Sequence, residues 1–182
     1  MMMLSGAYMD KTDTVQTCVV CDAGPVIHLD ELDALHLLND FDPVMLPPCV
    51  VNEITQYRPN IFKRHDVRFS IVAPLRRRNP DILTFCNALT LHSGEIEALA
   101  LLDAFPHALF LTDDSAARLV AQRLGYAVHG TIGVLIRAIR RQLMTPAAVI
   151  VILDSIPHKS SLHIKASLLE EIVLRLHTEF HL

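Results

Sequence analysis

The chain has 182 residues, 51% of them apolar and 20% charged, with a formal net charge of −4. That is enough apolar matter for one well-filled core, and it lacks the basic excess a general nucleic-acid binder carries. No apolar run approaches the roughly 20 residues of a spanning helix, and no basic-then-apolar signal opens the chain, so a cytoplasmic protein without membrane contact is expected.

Residues 1–14 are polar, methionine-rich and patternless, and are expected to form a flexible leader to one domain over residues 15–182. From Thr17 onward, short apolar runs alternate with helical patterns, as in a parallel sheet covered by helices. Strands are predicted at 17–21, 44–46, 67–73, 108–112 and 127–129.

The first strand contains Cys18 and Cys21, a C-x-x-C pair. Positions three apart on a strand point to opposite faces, so a shared zinc ion or a redox disulfide is not expected there. With Cys49 and Cys86 also among apolar neighbours, four reduced, buried thiols are expected. The step Asp22-Ala23-Gly24-Pro25 that follows matches neither a dinucleotide fingerprint nor a phosphate-binding P-loop.

A helix is predicted over 25–38, broken near Leu32, on the spacing of Leu29, Leu32, Leu35 and Leu38. A second starts at Pro47-Pro48, where proline is tolerated in the first turn. Between Tyr57 and Pro80 the pattern weakens and turns basic, with Lys63, Arg64, Arg68 and Arg76, Arg77 and Arg78, as in an exposed insertion. Ser93 is the expected N-cap of a third helix with Ile96, Leu99 and Leu102 on its buried stripe. Asp114 or Ser115 opens a fourth that stops at Gly125. A fifth is predicted over 134–143, with Arg137, Arg140 and Arg141 on one side. Thr145-Pro146 caps a sixth, and Ser160 or Ser161 caps a seventh that runs past Leu176.

In an open α/β sheet, chemistry collects beyond the carboxyl ends of the strands, and the acids of this chain fall in those places. Asp22 ends the first strand and Asp113 and Asp114 follow the fourth, while Glu53 and Glu95 sit in helices that begin beyond strand ends. Bland duties compete with this. Asp22, Glu95 and Asp114 are each placed to cap a helix or offset its dipole, and Glu53 could be a solvated helical residue. Asp113 and Asp114 are not separable from spacing. If the acids converge, their repulsion destabilises the fold unless a cation neutralises it, and Mg²⁺ or Mn²⁺ is suited to an all-oxygen set. A metal site of that kind also accounts for the acidic balance.

Five fragments in order carry a family resemblance: VCDAGPVIHL at 20–29, LPPCVVNE at 46–53, LHSGEIEA at 91–98, LTDDSAAR at 111–118 and HGTIGVL at 129–135. The chain resembles the PIN-domain family, in the prokaryotic branch related to the VapC toxins of toxin–antitoxin pairs. That resemblance implies an α/β/α sandwich with a central parallel sheet of four or five strands. It also implies four acidic positions that bind one or two Mg²⁺ or Mn²⁺ ions, and endoribonuclease activity by metal-activated water.

Carried over singly, Asp22 fits the first acid, Glu53 the second, Glu95 the third and Asp114 or Asp113 the fourth. Thr112 matches the hydroxyl residue before the last acid, where it would orient a carboxylate or water and contribute to substrate binding. The third acid is a glutamate where many relatives carry aspartate, which gives a longer arm. Arg118, Arg76 and Arg77, with the Arg137, Arg140 and Arg141 face, are candidates for holding RNA phosphates. His92 and His129 are expected to be ordinary loop or helix residues, so no histidine relay is expected. The resemblance further implies RNA as substrate, a cognate antitoxin protein and a homodimer.

The competing reading is a PIN-fold regulatory module that binds nucleic acid or protein with little catalysis. A haloacid-dehalogenase-like phosphatase needs a second aspartate where Gly24 stands, and a receiver domain needs a paired acid and a late lysine that the sequence does not supply.

Overall fold

The computed structural model describes residues 17–64, 67–74 and 80–181, Asn87 by its backbone alone. The expected leader and Arg76, Arg77 and Arg78 lie outside the described residues. Five strands, β1 (Thr17–Cys21), β2 (Phe41–Leu46), β3 (Phe69–Ile71), β4 (Leu109–Leu111) and β5 (Val128–His129), form one sheet in the order β3-β2-β1-β4-β5. Every neighbouring pair is parallel.

Strand alternation divides the core. Val19, Cys21, Val44, Leu46, Leu109 and Leu111 face one side, and Val20, Met45 and Phe110 the other. The first layer packs against α1 (Ala23–Glu31), α6 (Thr131–Arg140), α7 (Pro146–Lys159) and α8 (Ala166–Phe180). Val50 and Ile54 of α2 (Pro48–Tyr57) join it. The second layer packs against α3 (Pro80–Ala88), α4 (Ser93–Ala104) and α5 (Ser115–Arg123). The result is the expected three-layer α/β/α sandwich. Phe110, fully buried in the second layer, is a position where truncation to alanine costs about 3–5 kcal/mol. Cys18 packs with the second layer and Cys21 with the first, so the C-x-x-C thiols stand on opposite faces. Among the described residues there is no disulfide; Cys21 and Cys86 are buried, while Cys18 and Cys49 are only half-buried.

Several boundaries differ from the sequence expectation for identifiable reasons. The first helix ends at Glu31, and the chain resumes as a short 3-10 turn, Leu35–Asp40, after Asp33 turns it with φ +56°. Helix α3 has no counterpart in the expected elements, because only Ile82 and Cys86 face inward while Leu83 and Phe85 stay exposed. The N-cap of α4 is His92 rather than Ser93, since the Glu95 carboxylate reaches back to the His92 amide and closes a capping box. Helix α6 starts at Thr131, three residues before the apolar stripe suggested. Helix α8 starts only at Ala166 because Ser160 and Ser161 are spent on Glu31. The Ser161 amide donates to Glu31 Oε2 at 2.7 Å and the Ser160 hydroxyl at 2.9 Å.

The expected basic insertion is partly ordered structure. Ile61 is buried in a 3-10 turn, and β3 extends the sheet as an edge strand. Among the described residues no helix is long and apolar enough to cross a membrane.

Candidate active site

The chain builds β1, β2 and β3 outward in one direction and then returns to lay β4 on the other side of β1. The carboxyl ends of β1 and β4 therefore flank the point where strand order reverses, the usual place for a site in such a sheet. Cys21 lies opposite Leu111 in register, and the Asp22 amide donates to the Leu111 carbonyl at 2.9 Å. This places Asp22 beside Thr112.

Asp22 occupies the N-cap position of α1, yet its side chain makes no capping bond there. Its Oδ2 instead accepts the Thr112 hydroxyl at 3.0 Å. The carboxylate is 7% exposed. Burial pushes its pKa up to about 7, helped by the charges of Glu95 and Glu53, while the Ala23 amide and the Thr112 hydroxyl pull the other way. The proton equilibrium of this group therefore lies at neutrality. Glu53, half-buried on α2, is raised by burial and then by Glu95, against a smaller opposing effect of His92. Glu95 sits in the first turn of α4, one oxygen accepting the His92 amide at 2.7 Å. Its capping role and its proximity to the other acids are both realised.

The three carboxylates line one open cavity of about 540 Å³. Asp22 contributes to it, Asn52, Glu53, Gln56 and Tyr57 come from α2, and His92 and Glu95 from the start of α4. Two contacts set the distance between these helices. Glu97 Oε2 accepts the Cys49 amide at 2.8 Å, satisfying a donor in the first turn of α2. Gly94 packs directly on α2, where an added Cβ would stand 3.2 Å from Glu53 Oε2 and 3.4 Å from Val50 Cγ2. The glycine of Ser-Gly-Glu is thus what lets the Glu95 turn approach Glu53.

The fourth acidic segment behaves differently. Asp113 Oδ1 accepts the Thr131 amide at 2.8 Å, and Oδ2 accepts the Thr131 hydroxyl at 2.5 Å and His28 Nδ1 at 2.8 Å. Burial pushes Asp113 up, but the bonds from His28 and Thr131 outweigh it and hold the carboxyl below its usual range. Its oxygens are consumed in tying α1 to the start of α6. Gly130 belongs to the same lock, for a Cβ there would collide with Asp113 Oδ1 and sit 2.9 Å from an Arg118 nitrogen. Asp114 caps α5 by accepting the Ala117 amide at 2.7 Å, and its own amide donates to the Thr112 hydroxyl at 3.1 Å. One hydroxyl thus separates Asp22 from the Asp114 backbone.

Other expected site residues also have partners within the fold. Thr112 is fully buried with its hydroxyl engaged between Asp22 and the Asp114 amide, which places it to orient a carboxylate. Arg118 donates to the Thr112 carbonyl at 2.9 Å, bracing the same turn. Arg137 and Arg141 both pair with Asp40, at 2.6 and 3.1 Å, and Arg137 stacks on Phe41, so these two side chains are tied to the fold while Arg140 is exposed. Burial and then Arg118, Arg137 and Arg140 push His129 below its usual range. Burial, then Asp22 and Asp113, push the Cys21 thiol well up, which keeps it protonated beside the site.

Among the described residues no three His, Cys, Asp or Glu side chains stand close enough to grip an ion as they are placed. The donor chemistry nevertheless fits a hard divalent cation. Asp22, Glu53 and Glu95 supply only oxygens, and Asp22 and Glu53, raised by burial and then by neighbouring carboxylates, are groups whose ionised form a cation would favour. The defining sequence pattern of the PIN domain matches residues 18–178. The chain belongs to the PIN-domain family. PIN domains are generally nucleases and typically use divalent metals, in keeping with this acid-lined cavity. No curated protein matches the chain. In this PIN domain, Asn52, Gln56, Tyr57 and Glu97 escaped the sequence reading. For the three on α2 the signal was available, since 49, 52, 53, 56 and 57 share one face at helical spacing once Glu53 is placed on a helix.

Proposed function

We propose that this PIN domain is a divalent-metal-dependent endoribonuclease of the VapC-related branch, the toxin component of a toxin–antitoxin pair. The observation that carries the reading is Asp22, a buried carboxylate at the sheet's reversal point, with a pKa of about 7 and the charges of Glu95 and Glu53 acting on it. A carboxylate kept in such surroundings lowers fold stability when ionised, and a functional cation is the physical reason to keep it.

Asp22, Glu53 and Glu95, which line the cavity, are the residues that would hold Mg²⁺ or Mn²⁺. Asp114, which caps α5 through one carboxylate oxygen and is not among the lining residues, is the fourth acid in this reading, since both oxygens of Asp113 are engaged. When bound, such an ion lowers the pKa of water and offsets charge on the departing oxygen. The chain's own part is positional. Thr112 fixes the Asp22 carboxylate, and Glu97 and Gly94 set how closely α2 and α4 approach. The five fragments that resemble VapC-related proteins support RNA as substrate, a silencing partner protein and a homodimer.

The test is incubation of RNA with Mn²⁺ and either the wild-type chain or Asp22→Asn. Cleavage by the first and none by the second is the expected result; equal cleavage removes Asp22 from the chemistry. A binding module with little catalysis is favoured by one observation, the capping duties of Glu95 and Asp114. That reading predicts no response of the wild-type chain to Mn²⁺.

A further inference from the structure

Tyr57 is the last residue of α2, and its side chain is 69% exposed. Most of this aromatic residue is open to solvent. It lines the acidic cavity on one side and, on the other, a second hollow of about 320 Å³ formed by Asp30, Arg58, Pro59, Asn60, Ile61 and Arg64. The ring therefore stands on the ridge between a carboxylate cavity and a pair of guanidinium groups.

Those guanidinium groups are held in place. Arg58 donates from Nε to Asp30 Oδ2 at 2.7 Å, and Arg64 from a terminal nitrogen to Oδ1 at 2.7 Å. Asp30 is 11% exposed, whereas the arginine side chains are 36% and 45% exposed, so the carboxylate fixes the cations while they still face solvent. The bond to Asp30 uses only the Nε–H of Arg58, and a guanidinium carries further donors on its terminal nitrogens.

We infer that single-stranded RNA crosses this ridge, one unpaired base stacked on Tyr57 and an adjoining phosphate held by Arg58, which delivers the neighbouring phosphodiester to the cavity of Asp22, Glu53 and Glu95. The inference rests on the nuclease reading and deepens it by naming the residues that position the strand. Stacking on an exposed ring requires a base outside a duplex, and phosphates are gripped by preset arginines. Asn52 and Gln56, exposed on the same face of α2, stand where amides can meet base edges.

The test is fluorescence anisotropy of a labelled oligouridylate with the full chain carrying Asp22→Asn, so that binding is read without cleavage. Adding Tyr57→Ala is expected to weaken binding by about tenfold to a hundredfold, while Tyr57→Phe keeps it within about twofold. Arg58→Gln, which retains a donor for Asp30, should lower the salt slope by about one. A duplex should bind more weakly than a single strand. Binding by the Tyr57→Ala chain as tight as its parent's, or a duplex held as tightly as a single strand, overturns the inference. Cleavage by wild type separates the two claims. If wild type cuts RNA with Mn²⁺ and Tyr57→Ala cuts it equally well, the ridge is wrong and the nuclease stands. If wild type cuts nothing, the nuclease reading fails and the inference with it.

Discussion

Asp22 and Asp113 lie at the ends of adjacent parallel strands and are both largely sheltered from water, yet they have opposite electrostatics. Asp113 receives bonds from His28 and from two groups of Thr131, and its pKa is lowered. Asp22 receives the Thr112 hydroxyl and the Ala23 amide, but burial, helped by the charges of Glu95 and Glu53, raises its pKa to about 7. The contrast separates an acid that the fold has neutralised from one it has left in deficit. Position at a strand end is common to both, so position alone does not mark a ligand; the balance of partners does.

The comparison breaks most visibly by substitution. Asp22→Asn should abolish metal-dependent RNA cleavage and raise the melting temperature in metal-free buffer at about pH 8, by a stabilisation of a few kcal/mol. Asp113→Asn should do the reverse, losing about 1–3 kcal/mol as the link between α1 and α6 weakens, with a smaller loss of cleavage. Paired melting and cleavage assays on the two variants check both signs. If the two behave alike, the distinction is wrong.

The pH dependence comes next in size. Asp22 has a folded pKa above its unfolded one, so its contribution is fully present below about pH 4 and is lost as pH rises toward 7. Asp113 has a depressed pKa, so its contribution is present above the ordinary carboxylate range and is lost on acidification. Metal-free stability should therefore fall between about pH 4 and pH 7, and Asp22→Asn should flatten that fall. Urea denaturation at several pH values measures it, and a slope unchanged in the variant removes Asp22 as its source. The smallest effect belongs to Gly94→Ala. Its Cβ would press on the end of the Glu53 side chain at 3.2 Å, which can yield by a few tenths of an ångström. A loss of Mn²⁺ affinity of about threefold to tenfold, with little change in stability, is expected from calorimetry.

The three-layer fold was legible because strand alternation and helix spacing are local signals that the core then repeats. Thr17 to Cys21 reads as a strand from five residues, and the sheet uses those same five. Helix α3 was not legible, since two inward positions make no stripe. The start of α8 was misplaced because Ser160 and Ser161 are local capping residues captured by Glu31, a partner about 130 positions away in the chain. In the site, Asp22, Glu53 and Glu95 could be nominated from their places beyond strand ends. The division of labour between Asp113 and Asp114 could not, because it depends on His28 and Thr131, which only the folded chain brings to Asp113. The ion pairs of Arg137 and Arg141 were not legible for the same reason. A run of positive charge at helical spacing says nothing of Asp40 waiting opposite Arg137 and Arg141.

The central claim is that the carboxylate left in deficit is a place for a cation. Its most direct test is a Mn²⁺ titration of the wild-type chain and Asp22→Asn, followed by melting temperature at about pH 8, where Asp22 is ionised. The account predicts a saturable rise for wild type and a flat or much weaker response for the variant. Superimposable curves for the two proteins, whether both rise or both stay flat, would contradict it.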